Sequence, residues 1–150
     1  MLKYFNYDIV FQEVPDEVTL AINLTQCPNH CRGCHSPHLQ KNIGKALTEG
    51  ELDKLCSYYS SDITCVCFMG GDGEVAAVEE LAEHVRNLYA LKVAWYSGRN
   101  VFPPRVNVFN FIKLGEYLPE KGALNNENTN QRFYKIINGE KIDITHFFWK

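Results

Sequence analysis

No stretch of this chain approaches the roughly eighteen uninterrupted apolar residues that a membrane helix needs, so no membrane partner is expected. The opening MLKYFNYDIVFQEVPDE is interrupted by Lys3, Asp8, Glu13, Asp16 and Glu17 and lacks the continuous apolar core of a secretory leader. Repeats, low-complexity tracts and linker-like stretches are missing too, which leaves a single domain over residues 1–150 as the expectation. There is no excess of positive charge. The formal net charge is −3, and nothing in that balance draws the chain to a nucleic-acid backbone. Together these absences place the protein in the cytoplasm, where thiols stay reduced.

With 45% hydrophobic and 22% charged residues, the composition is that of a soluble globular domain, able to bury about 70% of its unfolded surface without a disulfide staple. The six cysteines are therefore read as metal ligands, catalytic groups or buried apolar residues.

VTLAINL (18–24) reads as a strand that runs straight into TQCPNHCRGCHSPH (25–38). In TEGELDKLCSYYS, Thr48 and Glu51 have capping-box spacing, and Leu52, Leu55, Cys56 and Tyr59 share one helical face, which predicts a helix over 49–60. ITCVCFM (63–69) has the apolar continuity of a strand buried on both faces and ends at Gly70-Gly71. Residues 74–90 carry Val78, Leu81, Ala82, Val85 and Leu88 at helical spacing. KVAWYSG (92–98) and part of VNVFNFIKLG (106–115) read as further strands, and Asn138-Gly139 between two β-rich runs predicts a C-terminal hairpin. NNENTNQ (125–131) reads as an exposed polar loop and, at an open edge, as a possible docking surface. Alternation of strands and helices implies an α/β fold with a mainly parallel sheet. Its sites should form beyond the C-terminal ends of the strands, where the cysteine loop, Gly70-Gly71-Asp72 and Ser97-Gly98 all fall.

A fourth closely spaced cysteine is also lacking. Cys27, Cys31 and Cys34 put three thiols on one short loop, with Pro28 and Gly33 suited to a tight path. One reading is a structural zinc completed by His30, His35 or His38. The other is a 4Fe-4S cluster with one iron left free of protein ligands, open to a substrate.

The spacing Cys27-x3-Cys31-x2-Cys34 resembles the signature of radical S-adenosylmethionine enzymes, and MGGDGE (69–74) is similar to the segment with which they hold the cofactor's amino group. Short length, YDIV (7–10), AWYSG (94–98), FIKLGEY (111–117) and NTNQRFY (128–134) resemble the small glycyl-radical activases of anaerobic ribonucleoside-triphosphate reductase. That resemblance implies a partial (β/α) barrel with an open side. It also implies a 4Fe-4S cluster on Cys27, Cys31 and Cys34, and S-adenosylmethionine near Gly33, His35, Gly70, Gly71, Asp72 and, on a lesser match, Ser97. The implied activity is reductive cleavage of S-adenosylmethionine and formation of a glycyl radical on the partner reductase, with electrons from a one-electron donor such as flavodoxin. The cofactors carry that chemistry, so no catalytic side chain is expected. The chain departs from the family at FQEVPDEV (11–18), where a glycine-containing turn is usual, and at Gly73, where proline is often found.

Two other functions fit the same residues: a radical S-adenosylmethionine enzyme acting on a small metabolite, and a zinc-stabilised interaction module. Cys56, Cys65 and Cys67 read as small buried apolar groups, His84 and His146 as structural or surface histidines, and Trp95 and Tyr96 as core aromatics.

Overall fold

The computed structural model describes residues 1–29 and 37–149, and in it eight strands form one sheet. In chain order the elements are β1 (Lys3–Val10), β2 (Thr19–Leu24), β3 (Lys45–Ala46), α1 (Glu49–Tyr59), β4 (Cys65–Met69), α2 (Val75–Tyr89), β5 (Lys92–Tyr96), β6 (Phe111–Leu114), β7 (Arg132–Ile137) and β8 (Glu140–Asp143). The strands lie in the order β3-β1-β2-β4-β5-β6-β7-β8.

This overturns the expected mainly parallel sheet and partial barrel. β2, β4, β5 and β6 run parallel. The pairs β1–β2, β1–β3, β6–β7 and β7–β8 are antiparallel, so antiparallel pairings outnumber parallel ones and the sheet is mixed. The cause is connectivity. Parallel neighbours need a crossover of a dozen or so residues, usually a helix, whereas antiparallel neighbours need only a turn. Among the described residues there are two α-helices. β5 reaches β6 through residues 97–110 with a single 3-10 turn, Val106–Val108. β1 returns to β2 through residues 11–18, and Asn138-Gly139, both at positive φ, turns β7 into β8.

The two faces of the sheet are covered differently. Leu52, Leu55 and Cys56 of α1 and Val78, Leu81, Ala82 and Val85 of α2 pack on one face, over Leu20, Ile22, Val66, Phe68, Val93 and Trp95. On the other face Cys65, Cys67, Ala94, Phe111 and Phe133 are covered by Val14, Leu124 and Ile144, which belong to non-helical chain. A barrel would turn that second face toward its lumen; here apolar side chains fill it. Val14 is fully buried, and the Tyr96 hydroxyl donates to the Glu13 carbonyl at 2.5 Å, fastening the 11–18 segment across the sheet.

Local chemistry explains the helix boundaries. Thr48 Oγ1 accepts the Glu51 N–H at 3.1 Å and starts α1. The reciprocal half of the capping box is not made, because the Glu51 carboxylate accepts from the Tyr4 hydroxyl and pairs with Lys45 Nζ at 3.2 Å. That contact ties α1 to β1 and β3, and burial, helped by Glu51, pushes the Tyr4 hydroxyl up to about 12. Within residues 125–131, Asn125 to Asn128 are exposed as their polarity implies, and the remainder is anchored. Thr129 and Gln131 are buried, Thr129 Oγ1 donates to the Gly122 carbonyl at 3.2 Å, and Asn130 Nδ2 donates to the Glu116 carbonyl at 3.1 Å. No helix among the described residues is long and apolar enough to cross a membrane.

If the 11–18 segment seals the second face, Val14→Ala should cost about 2 kcal/mol in urea unfolding, the value of two buried methyl groups plus the void they leave. An unchanged midpoint would show that the segment does not seal the sheet.

Candidate metal centre

Because β2, β4 and β5 are parallel neighbours in register, with Asn23 beside Met69 and Met69 beside Tyr96, their C-terminal ends form one edge. Three connections leave it and meet. The first is the cysteine loop. Thr25 N–H donates to the Lys3 carbonyl at 2.9 Å and Thr25 Oγ1 to the Ile43 carbonyl at 2.8 Å. Next, Gln26 N–H donates to the Lys41 carbonyl at 3.0 Å and Cys27 N–H to the Leu39 carbonyl at 2.9 Å. These bonds close the neck of a loop that leaves at Pro28 and returns through the 3-10 turn Pro37–Gln40. Cys27 stands at the neck as a free, half-exposed thiol. Cys31, Cys34, Gly33, His35 and His30 lie on the same loop, outside the described residues. His38 is described: its exposed ring packs edge-on against Phe5, with centroids 5.0 Å apart.

Asp72 joins the three connections. It is 3% exposed, and its carboxylate accepts from donors on both neighbouring loops. Asn29 Nδ2 of the cysteine loop donates to Oδ2 at 2.5 Å, Gly98 N–H donates to the same oxygen at 2.9 Å, and Ser97 Oγ donates to Oδ1 at 2.5 Å. Ser97 Oγ in turn accepts the Arg99 N–H at 3.1 Å, and Arg99 Nε donates to Asn29 Oδ1 at 3.4 Å. The polar edge continues into β6, where buried Lys113 donates through Nζ to the Ser97 carbonyl at 3.1 Å and the Gly115 carbonyl at 2.7 Å. Asn130 Oδ1 is buried with no hydrogen-bond partner among the described residues. A cleft of about 140 Å³ borders Asp72, Ser97 and Arg99, with Val101, Phe102 and Pro104 among its apolar walls. A larger one of about 750 Å³, lined by Phe11, Pro15, His146 and Trp149 among others, shares no residue with this edge.

The glycines at this edge are demanded by packing. Gly71 has φ +89°, and a Cβ there would lie 2.6 Å from Val78 Cγ2 and 2.9 Å from Leu24 Cδ1. At Gly98 a Cβ would lie 2.7 Å from Asn29 Nδ2, so any side chain would displace the Asn29 amide from Asp72. The Gly70 carbonyl accepts from Trp95 Nε1 at 2.6 Å, which ties the turn to β5.

A family model described as a 4Fe-4S single cluster domain matches residues 18–103, more than half of the chain, from the start of β2 to just past the Ser97 loop. The chain belongs to this 4Fe-4S single cluster family. No curated protein and no solved structure matches it. For a 4Fe-4S domain the donors fit: thiolates hold such clusters, and Cys27 together with Cys31 and Cys34 supplies three on a loop whose neck is fixed by backbone bonds. Among the described residues no group of three His, Cys, Asp or Glu side chains is disposed to hold a metal ion.

The remaining thiols of the 4Fe-4S domain lie elsewhere. Cys56 is buried under α1, and Cys65 and Cys67 are buried on the far face of β4, where Cys67 Sγ contacts Met69 Sδ at 3.4 Å. Burial lifts Cys56 and Cys65 from 9.0 to about 12 and Cys67 well above 9.0, so all three stay protonated, unlike metal-binding or reactive thiols.

Sequence reasoning assigns no role to Asn29 or, within FIKLGEY, to Lys113. An Asn between two cysteines and a Lys inside an apolar strand acquire their partners only when distant loops meet.

In cluster-free native protein, Cys56, Cys65 and Cys67 should resist a thiol reagent that modifies all six cysteines after unfolding. Modification of all three at the unfolded rate would contradict their burial. The unfolded chain sheds the Cys56 and Cys65 thiol protons near pH 9 while the folded chain holds them to about pH 12. Stability is therefore fully present below pH 9 and is lost as pH rises toward 12. Denaturant midpoints measured across that interval should fall, and Cys56→Ala should flatten the slope.

Proposed function

We propose that this 4Fe-4S domain is a radical S-adenosylmethionine activating enzyme that installs a glycyl radical on anaerobic ribonucleoside-triphosphate reductase. The observation that carries the proposal is the junction at Asp72, where the Gly-Gly-Asp turn is bonded both to the cysteine loop, through Asn29, and to Ser97. An open-coordinated cluster and the amino-acid end of S-adenosylmethionine have to sit side by side, and this junction supports that requirement.

In this reading Cys27, Cys31 and Cys34 hold the cluster, and the neck at Gln26 and Cys27 fixes where it stands relative to β2. Gly33 and His35 beside the last cysteine, with Gly70, Gly71, Asp72 and Ser97, surround S-adenosylmethionine, and buried Asp72 supplies the acceptor for its ammonium group. When bound, the two cofactors supply one-electron chemistry that ends in removal of a hydrogen atom from a glycine of the reductase. The chain binds and orients them, and the filled second face of the sheet keeps water from the strands beneath. A protein donor such as flavodoxin delivers the electron.

The test is anaerobic reconstitution followed by incubation with the reductase, a reductant and S-adenosylmethionine. A glycyl radical signal in electron paramagnetic resonance is expected, and Cys31→Ala should lose both the cluster and the cleavage of S-adenosylmethionine. Cleavage without a radical on the reductase would favour a small-metabolite substrate. One zinc per chain and no iron would overturn the proposal.

A further inference from the structure

A carboxylate withdrawn from water is costly unless it is paired or fully hydrogen-bonded. Asp72 is 3% exposed, and its three donors, the Asn29 amide, the Ser97 hydroxyl and the Gly98 N–H, are all neutral. Among the described residues no cation pairs with it. Arg99 stops one group short, with Nε on Asn29 Oδ1. An ammonium in place of one neutral donor would supply the missing positive charge.

The three donors differ in how readily they yield. Gly98 N–H is main chain, placed by the end of β5. Ser97 is 1% exposed, its Oγ is also held by Arg99 N–H, and its carbonyl is held by Lys113. Asn29 is half-buried, sits on the cysteine loop, and reaches Asp72 through one rotatable amide.

We infer that Asn29 is a positioning residue that keeps Oδ2 of Asp72 filled until the ammonium group of an amino-acid-type ligand displaces it, so that ligand uptake resets the base of the cysteine loop. This rests on the function proposed above. An ammonium gains by that replacement, since a charged donor makes a stronger hydrogen bond to a carboxylate than a neutral amide does.

The experiment measures binding of S-adenosylmethionine and of 5′-methylthioadenosine, which lacks the amino-acid end, to reconstituted wild-type and Asn29→Ala protein. Amide hydrogen exchange over residues 25–29 is followed in the ligand-free state. The variant should bind S-adenosylmethionine about five-fold more tightly, the size of one net hydrogen bond. Its affinity for 5′-methylthioadenosine should be unchanged, and exchange at Gln26 and Cys27 should be faster than in wild type. Equal changes for both ligands, no change, or weaker S-adenosylmethionine binding would overturn the role of Asn29 while leaving the proposed function standing. Wild-type protein that carries its cluster yet binds neither ligand would instead overturn the proposed function and this inference with it.

Discussion

The arrangement of the polar edge depends on keeping one carboxylate out of water. Asp72 sits at the C-terminal edge of the sheet where three loops meet, and its hydrogen bonds join the cysteine loop to the loop after β5. A buried carboxylate left without donors costs several kcal/mol, so the loops are held together by the need to satisfy it. Gly71 and Gly98 make the approach possible, the first by its positive φ and tight packing under Val78, the second by leaving space for Asn29.

The sheet places that edge. Parallel strands β2, β4 and β5 bring three connections to one side, and the antiparallel strands on either flank complete the sheet without further α-helices among the described residues. Because Val14, Leu124 and Ile144 fill the face opposite the helices, there is no lumen on that side of the described sheet, and the candidate site is carried on the strand ends. Edge loops positioned by a rigid centre are a common way for α/β sheets to build a site.

Much of this was legible in the sequence. The apolar run of β4 and the helical spacing of α2 have strong single-period patterns, and both elements form within a residue or two of the predicted bounds. The Cys27, Cys31 and Cys34 spacing pointed to a metal-binding loop because the thiols are local in the chain. What escaped was non-local. β1 leaves four of its eight side chains exposed and shows no clean alternation of buried and exposed positions, so its pattern does not announce a strand, and without it the antiparallel share of the sheet is underestimated. The 11–18 segment departs from the family pattern in sequence, but its role as a cover depends on one valine meeting Cys65, Cys67 and Ala94 across the sheet. Asn29 and Asp72 are 43 positions apart, and only the parallel register of β2 with β4 brings their loops together.

The central claim is an open-coordinated 4Fe-4S cluster that meets S-adenosylmethionine beside Asp72. The most direct test is the electron paramagnetic resonance spectrum of the reduced, reconstituted protein before and after S-adenosylmethionine is added. The account predicts a 4Fe-4S signal whose g-values shift on addition, as the ligand takes the iron that no cysteine holds. A cluster signal that S-adenosylmethionine leaves unaltered would contradict it.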